Sequence, residues 1–231
     1  MEHIVIGIEG LVGAGKTSIS RELLKKMPNT ILLHGGNLYR AIVYALMKAQ
    51  TNKITLTNLG ESLKNIDIKA LMDKLEVKFE IENGESVVYV AGQKINEEDL
   101  QSQENSLAVS VAGKEADNSQ LYSFARILID MYKENFNVIV SGRDLMKIYP
   151  NLDYHFLITA SLEERVKRKC IQYKEQIDKK MIEENIAKRD KLQEESGFYK
   201  KYDRTIEVDV TNCKNAKEGA EILLTYIHID K

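Results

Sequence analysis

The 231-residue sequence contains two cysteines and two prolines, and its charges almost cancel at a formal net of −2. Each scarcity excludes something. Cys170 and Cys213 stand far apart and lack metal-ligand spacing, which argues against a disulfide scaffold or a cysteine-based zinc module and points to a reducing compartment. Prolines at 28 and 150 alone leave no proline-rich linker, and no repeat or low-complexity tract divides the chain. Near-neutral charge gives no global field for nucleic acid or anionic membrane, so any basic site must be local. No apolar run reaches membrane-spanning length, and Met1-Glu2-His3 enters the first apolar segment without a signal peptide's basic and apolar regions. A cytoplasmic protein is expected, with 43% hydrophobic and 29% charged residues giving an ordinary globular balance.

What is present is concentrated near the start. Gly10-Leu11-Val12-Gly13-Ala14-Gly15-Lys16-Thr17 fits the phosphate-binding pattern G-x-x-x-x-G-K-S/T at every specified position. Ile4–Ile8 before it reads as a buried strand, and Thr17–Lys26 after it as a helix with Leu23 and Leu24 inward. Glycines let backbone N–H groups curl around phosphate oxygens while the helix directs its positive end at the same point. Lys16 is then placed to reach the outer phosphates of ATP, and the Thr17 hydroxyl to hold a magnesium ion.

The rest of the chain alternates strand and helix, which predicts an α/β fold. Thr30–Leu33 reads as a strand leading to the turn His34-Gly35-Gly36-Asn37, then a helix over Leu38–Ala49 opened by Tyr39 and Arg40. Arginine in a first helical turn opposes the dipole, so Arg40 is either an anion ligand or simply solvated. Leu75–Ile81 alternates, Asn83-Gly84 is a favoured hairpin turn, and Ser86–Ala91 returns. This hairpin marks an insertion over about 61–103, a closing element for substrate or a structural ornament. Helices are expected over Ser102–Val111 and Gln120–Glu134, and a strand over Val138–Val140 that ends in Ser141-Gly142-Arg143-Asp144. A further strand over Leu152–Thr159 is followed by the capping box Ser161-Leu162-Glu163-Glu164. Arg165, Arg168 and Lys169 share one face of the helix it starts, either a solvated basic face or part of a mobile lid that brings cations to a transferring phosphoryl group. A helix over Asp178–Asp190, a polar return from Gln193 to Arg204, a strand over Thr205–Val210 and a helix initiated at Thr211-Asn212 complete the chain.

Taken together, these residues resemble the bacterial cytidylate kinases, P-loop nucleoside monophosphate kinases. Its carriers are Ile8–Thr17, Leu38-Tyr39-Arg40, the hairpin insertion, Gly142-Arg143-Asp144, Ala160–Arg165 and Lys188-Arg189-Asp190, which span most of the chain. The resemblance implies a P-loop nucleoside-triphosphate-hydrolase-like parallel sheet with helices on both faces. It also implies one kinase domain over 1–231, with an acceptor-binding insertion at about 61–103 and a helical lid at about 165–204. The implied reaction is transfer of phosphate from ATP to CMP or dCMP with magnesium.

By the resemblance, Gly10, Gly13, Ala14, Gly15, Lys16 and Thr17 hold ATP, Lys16, Arg165, Arg168 and Arg189 stabilise the transferring charge, and Thr17 serves magnesium. Arg40 and Arg189 hold the acceptor phosphate, while Ser110 and Asp144 contact the acceptor nucleoside. The pattern departs on the acceptor side. His34-Gly35-Gly36 stands where Asp-Ser-Gly is usual, Tyr122 falls near an expected arginine, and Ser141 replaces an Asp. Gln193 and Ser196 occupy the positions of a further Asp and Arg. Two other readings therefore stay open, a P-loop kinase for a different small-molecule acceptor and a non-catalytic nucleotide-binding protein.

Overall fold

A computed structural model describes residues 3–49, 67–100, 119–174 and 177–228. These cluster into two compact units, Met1–Leu32 with Lys133–Lys231, and Leu33–Tyr132. Ser110 and the helix expected over Ser102–Val111 lie outside the described residues.

The first unit is built on parallel strands β1 (Val5–Gly10), β2 (Thr30–His34), β6 (Asn137–Ser141), β7 (Tyr154–Thr159) and β8 (Thr205–Asp209), in the order β2-β6-β1-β7-β8. Strand β1 pairs β6 on one side, Ile8 opposite Ser141, and β7 on the other, Gly10 opposite Ile158. β1 and β6 are buried at every position, their apolar centres Val5–Ile8 and Val138–Val140 covered on both faces as in a parallel sheet, with polar Glu9, Asn137 and Ser141 buried toward the ends. The chain leaves β1 toward β2, returns through β6 and then crosses to β7. The carboxyl end of β1 is thus a topological switch point, where open α/β sheets bind ligands.

One sheet face is covered by α1 (Lys16–Lys26) and the last helix, described below as α9 (Ala216–Leu224). Ile6, Ile8, Ile19, Leu23, Phe156, Ile158, Leu223 and Ile227 form its buried core. Helix α9 begins later than Thr211-Asn212 predicts. Asn215 is the N-cap, its side chain accepting from the Glu218 amide at 3.1 Å, whereas Thr211 bonds to Asp209 at 2.6 Å through its hydroxyl. An acceptor at the preceding strand end takes Thr211 away from the capping position.

In the second unit, α2 (Gly35–Ala49) and α3 (Ile68–Lys74) are followed by β3 (Lys78–Glu82), β4 (Glu85–Val90) and β5 (Gln93–Ile95), then α4 (Glu97–Leu100) and α5 (Ser119–Lys133). The hairpin forms as read, β3 antiparallel to β4 around Asn83 and Gly84 at φ 52° and 81°. Gln93-Lys94 pairs with β4 as β5, the reversal falling on Ala91 and Gly92. Helix α2 begins at Gly35, directly after β2, so no separate turn intervenes and Arg40 is carried beyond the first turn. Ala41, Ile42, Val43, Met72, Val77, Val88 and Leu121 make this unit's own core.

Back in the first unit, α6 (Leu145–Ile148) follows β6, and α7 (Leu162–Gln172) and α8 (Lys179–Glu195) form a pair between β7 and β8. The Ser161 hydroxyl accepts from the Glu164 amide at 3.3 Å, as the capping box predicts. Among the described residues no helix is long and apolar enough to cross a membrane.

Leu23 is fully buried between α1 and the sheet, so Leu23→Ala should cost about 2–5 kcal/mol. Asn215→Ala, which removes only a cap, should cost about 1 kcal/mol. Urea unfolding of both variants checks this order.

Candidate active site

Strand β1 ends at Gly10, and the loop to α1 turns through Gly13 and Gly15 at φ 80° and 96°. These left-handed angles suit residues without a Cβ, which is why glycine recurs here. Gly15 is the N-cap of α1, has no side-chain capping bond, and is followed by a first turn with no acidic residue. The helix start is therefore unblocked by any carboxylate and aims its positive end at the loop, an arrangement suited to an anion. Lys16 and Thr17, both half-buried, open the helix.

Helix α7 lies across this loop. Arg165, 6% exposed, donates from Nε to Ala160 O at 3.0 Å and from Nη1 to Val12 O at 3.1 Å. The same Nη1 pairs with Asp190 of α8, whose other carboxylate oxygen accepts from the Val12 amide at 3.4 Å. Arg168 donates to Ala14 O at 2.9 Å, to Val210 O at 2.8 Å and to Glu164 at 3.1 Å. Val12, Val166, Ile182 and Ile186 form a buried apolar cluster beneath these bonds.

The basic face shared by Arg165 and Arg168 is thus not a simply solvated one. Arg165 and Arg168 are held by carbonyls and carboxylates, and both brace the loop backbone. Their charge faces the loop from behind.

Other cations crowd the loop instead. Arg143, from the segment after β6, lies within electrostatic reach of Arg189, Tyr199, Glu9 and Asp190. Burial works against its charge most strongly, and Arg189 adds to the cost. Lys169 of α7 has its stem 3.5 Å from where a Gly13 Cβ would stand, and burial together with Arg189 lowers its pKa. Arg189 thus adds to the cost of charge on both Arg143 and Lys169, a cost that a bound polyanion would relieve.

Asp144 is buried with a left-handed φ of 57°, and its carboxylate lies 3.1 Å from Lys147 Nζ. Behind it, Glu9 Oε1 accepts from the Leu145 amide at 2.6 Å and lies 3.4 Å from His155 Nε2. Ser141 ends β6 as a buried residue, and Ser196 caps α8, its hydroxyl donating to Leu192 O at 2.7 Å. Gln193 is buried and accepts from the Tyr199 hydroxyl.

In the second unit Arg40 donates to Leu100 O at 3.0 Å, and Tyr122 is half-buried on α5. His34 Nε2 pairs with Glu85 Oε2 at 2.8 Å, and the His34 amide donates to Ser86 Oγ at 2.9 Å. A carboxylate and a hydroxyl therefore reach the end of β2 from the hairpin, the two groups missing from His34-Gly35-Gly36.

The profile of the cytidylate kinase family matches residues 6–228. The chain belongs to the cytidylate kinase family. Similar curated proteins include the cytidylate kinase of Halalkalibacterium halodurans, 25% identical over 98% of this chain and 98% of its own length. Those of Aquifex aeolicus and Clostridioides difficile are each 29% identical, over 96% and 99% of this chain and 95% and 100% of their own. Membership makes this chain an enzyme of the nucleoside monophosphate kinase class, working with ATP and magnesium, and its strand order is that of the P-loop kinase fold.

Within this family member, Glu9 and Tyr199 were absent from the residues singled out by sequence. Glu9 carries a signal in hindsight, a carboxylate at the end of an otherwise apolar strand. Tyr199 carries none, because its place depends on how the chain turns after α8.

Two outcomes are expected. Asp190→Ala leaves the buried Arg165 guanidinium without its carboxylate and should lower stability by about 3 kcal/mol, near the bottom of the range for breaking a buried pair because Asp190 is 22% exposed; chemical denaturation measures it. Burial also pushes the Tyr199 hydroxyl from 10.0 up to about 12. The unfolded chain then releases this proton before the folded one, so the neutral phenol's stability is intact below pH 10 and declines as pH rises toward 12. Tyr199→Phe should flatten that alkaline decline in unfolding curves recorded across this range.

Proposed function

We propose that the protein transfers the γ-phosphate of ATP to CMP or dCMP, acting in the cytoplasm, where its two free thiols, Cys170 and Cys213, would stay reduced. The observation that carries this reading is the glycine loop running into an uncapped helix start at the switch point of the sheet, with the Lys169 stem against Gly13 and Arg189 opposing the charge of both Lys169 and Arg143. A cation opposed by a neighbouring cation is a cost without a ligand, and a triphosphate beside a second phosphate supplies the compensating charge.

Phosphoryl transfer asks little covalent chemistry of a protein and much positioning. The loop amides and Lys16 would cradle the triphosphate. The residues present fit magnesium, because Thr17 supplies a hydroxyl oxygen in the first turn after the loop and would hold the ion there. When bound, magnesium neutralises charge on the outer phosphate oxygens. Arg143, Lys169 and Arg189 would meet the charge of the transferring group. Arg165 and Arg168 act as positioning residues, since their guanidinium groups hold the carbonyls of Val12 and Ala14 and so fix the loop's shape. Arg40 and Asp144 remain the proposed acceptor contacts of their respective units.

A second reading, a kinase for another acceptor, draws on the replacements at Gly35, Ser141, Gln193 and Ser196. The return of a carboxylate and a hydroxyl through Glu85 and Ser86 favours the nucleotide reading, because it restores polar groups where a base edge would be read.

A coupled assay over CMP, dCMP, UMP, AMP and GMP decides between them, with turnover of CMP and dCMP expected and ATP consumption only with a non-nucleotide acceptor opposing it. Lys16→Ala should lower kcat at least 100-fold with an unchanged far-ultraviolet spectrum. Arg168→Ala should instead raise KM for ATP along with lowering kcat, because the loop it braces loses its shape.

A further inference from the structure

Tyr199 holds a backbone conformation that its side chain disfavours. Its φ of 64° lies in the left-handed region, where a bulky residue is an outlier, and such strain persists only where the surroundings impose it. The turn is imposed from upstream. After α8 ends, the Gly197 amide donates to Glu194 O and the Phe198 amide to Gln193 O, each at 2.9 Å. The chain doubles back, and the Tyr199 phenol donates to Gln193 Oε1. Gln193 is only 7% exposed, so its amide is a fixed acceptor.

This geometry delivers one polar atom to a particular place. Through Gln193 the phenol is tied to α8 one turn beyond Arg189 and Asp190, and Asp190 and Arg165 bond Val12 of the phosphate-binding loop; Arg143, Asp190, Arg189 and Arg165 all act on the phenol electrostatically. For packing alone a phenylalanine would serve better, because it would bury no hydroxyl among charges. The surrounding guanidinium groups can only donate, and Tyr199 adds a donor that is neutral. Its O–H can rotate about the C–O bond away from Gln193 and toward an anionic oxygen, which is the stronger acceptor.

We propose that Tyr199 is an acceptor-binding residue whose phenol O–H donates a hydrogen bond to the phosphate of the monophosphate substrate, alongside Arg143 and Arg189. Gln193 holds the phenol in position until the substrate arrives. The assignment rests on the phosphoryl-transfer reading above. It explains how a chain with Ser196 in place of an expected arginine still presents a donor to the acceptor phosphate: a neutral hydroxyl from the following turn replaces a cation from the helix. Because burial holds this proton well above neutral pH, the contact is unchanged through the working range.

The test compares wild type, Tyr199→Phe and Gln193→Leu in full-chain steady-state kinetics with CMP and ATP each varied. Tyr199→Phe should raise KM for CMP about 10- to 100-fold, the effect of losing a hydrogen bond to a charged group, while KM for ATP stays near wild type and the melting temperature falls by no more than the loss of the Gln193 bond accounts for. The ratio of CMP KM between variant and wild type should be flat from about pH 6 to 9, since the phenol keeps its proton throughout. Gln193→Leu should shift CMP KM in the same direction by a smaller factor. Equal CMP KM for wild type and Tyr199→Phe would overturn the assignment and leave the kinase reading standing. A wild-type chain that turns over no nucleoside monophosphate would overturn both together. If Tyr199→Phe raised the KM for ATP as much as that for CMP, the phenol would belong to loop geometry and the assignment would again fall.

Discussion

The guanidinium of Arg165 is buried where backbone carbonyls and one carboxylate are the groups that satisfy it. It bonds to Ala160 O at the end of β7, to Val12 O in the phosphate-binding loop, and to Asp190 on α8. Arginine suits this task because its donors are fixed in a plane and its charge is not lost on burial. One side chain therefore ties together the loop, the strand next to it and both helices of the α7–α8 pair. Asp190 closes the arrangement by accepting from the Val12 amide, so the loop is gripped through a carbonyl and an amide of a single residue. Were that grip lost, the apolar cluster of Val12, Val166, Ile182 and Ile186 would lose the register that buries it.

A rigid loop is what anion recognition needs. Backbone amides discriminate by geometry, and a loop that wandered by an ångström would lose most of what it gains from their convergence. The chain divides its basic residues accordingly. Arg165 and Arg168 are fully engaged with carbonyls and carboxylates and act on shape. Arg143 and Lys169 each have their charge opposed by Arg189, and these three are the proposed ligand contacts. Two sets of cations a few residues apart thus do different physical work, and sequence spacing does not distinguish them, since Arg168 and Lys169 are adjacent.

The acceptor side shows a change of chemistry under an unchanged fold. Where the family resemblance leads one to expect charged groups on α8, Gln193 and the Tyr199 phenol form a neutral pair. At the end of β2 the expected carboxylate and hydroxyl arrive from Glu85 and Ser86 of the hairpin. Neutral donors lose less on desolvation than charged ones and are less sensitive to salt, at the expense of weaker attraction. The hairpin, which composition alone leaves as either a closing element or an ornament, supplies the polar partners of His34.

Much of the architecture was legible before any coordinates. Alternating strand and helix periods, the Gly10–Thr17 pattern, the Asn83-Gly84 turn and the Ser161–Glu164 box are all local, and local backbone geometry follows from residues a few positions apart. The misplaced boundaries have local causes of another kind: Thr211 found a nearer partner in Asp209, and β2 runs into α2 without the turn that two glycines advertise. What only the tertiary structure decided is which side chains face the ligand. Arg165 and Arg168 read as free cations in sequence because their partners, Val12 and Ala14, lie 153 and 154 residues away. Tyr199 and Glu85 were invisible as site residues for the same reason. A helical or strand period fixes which way a side chain points relative to its own element, but whether it meets a carbonyl, a carboxylate or open space depends on contacts between segments that the sequence holds far apart.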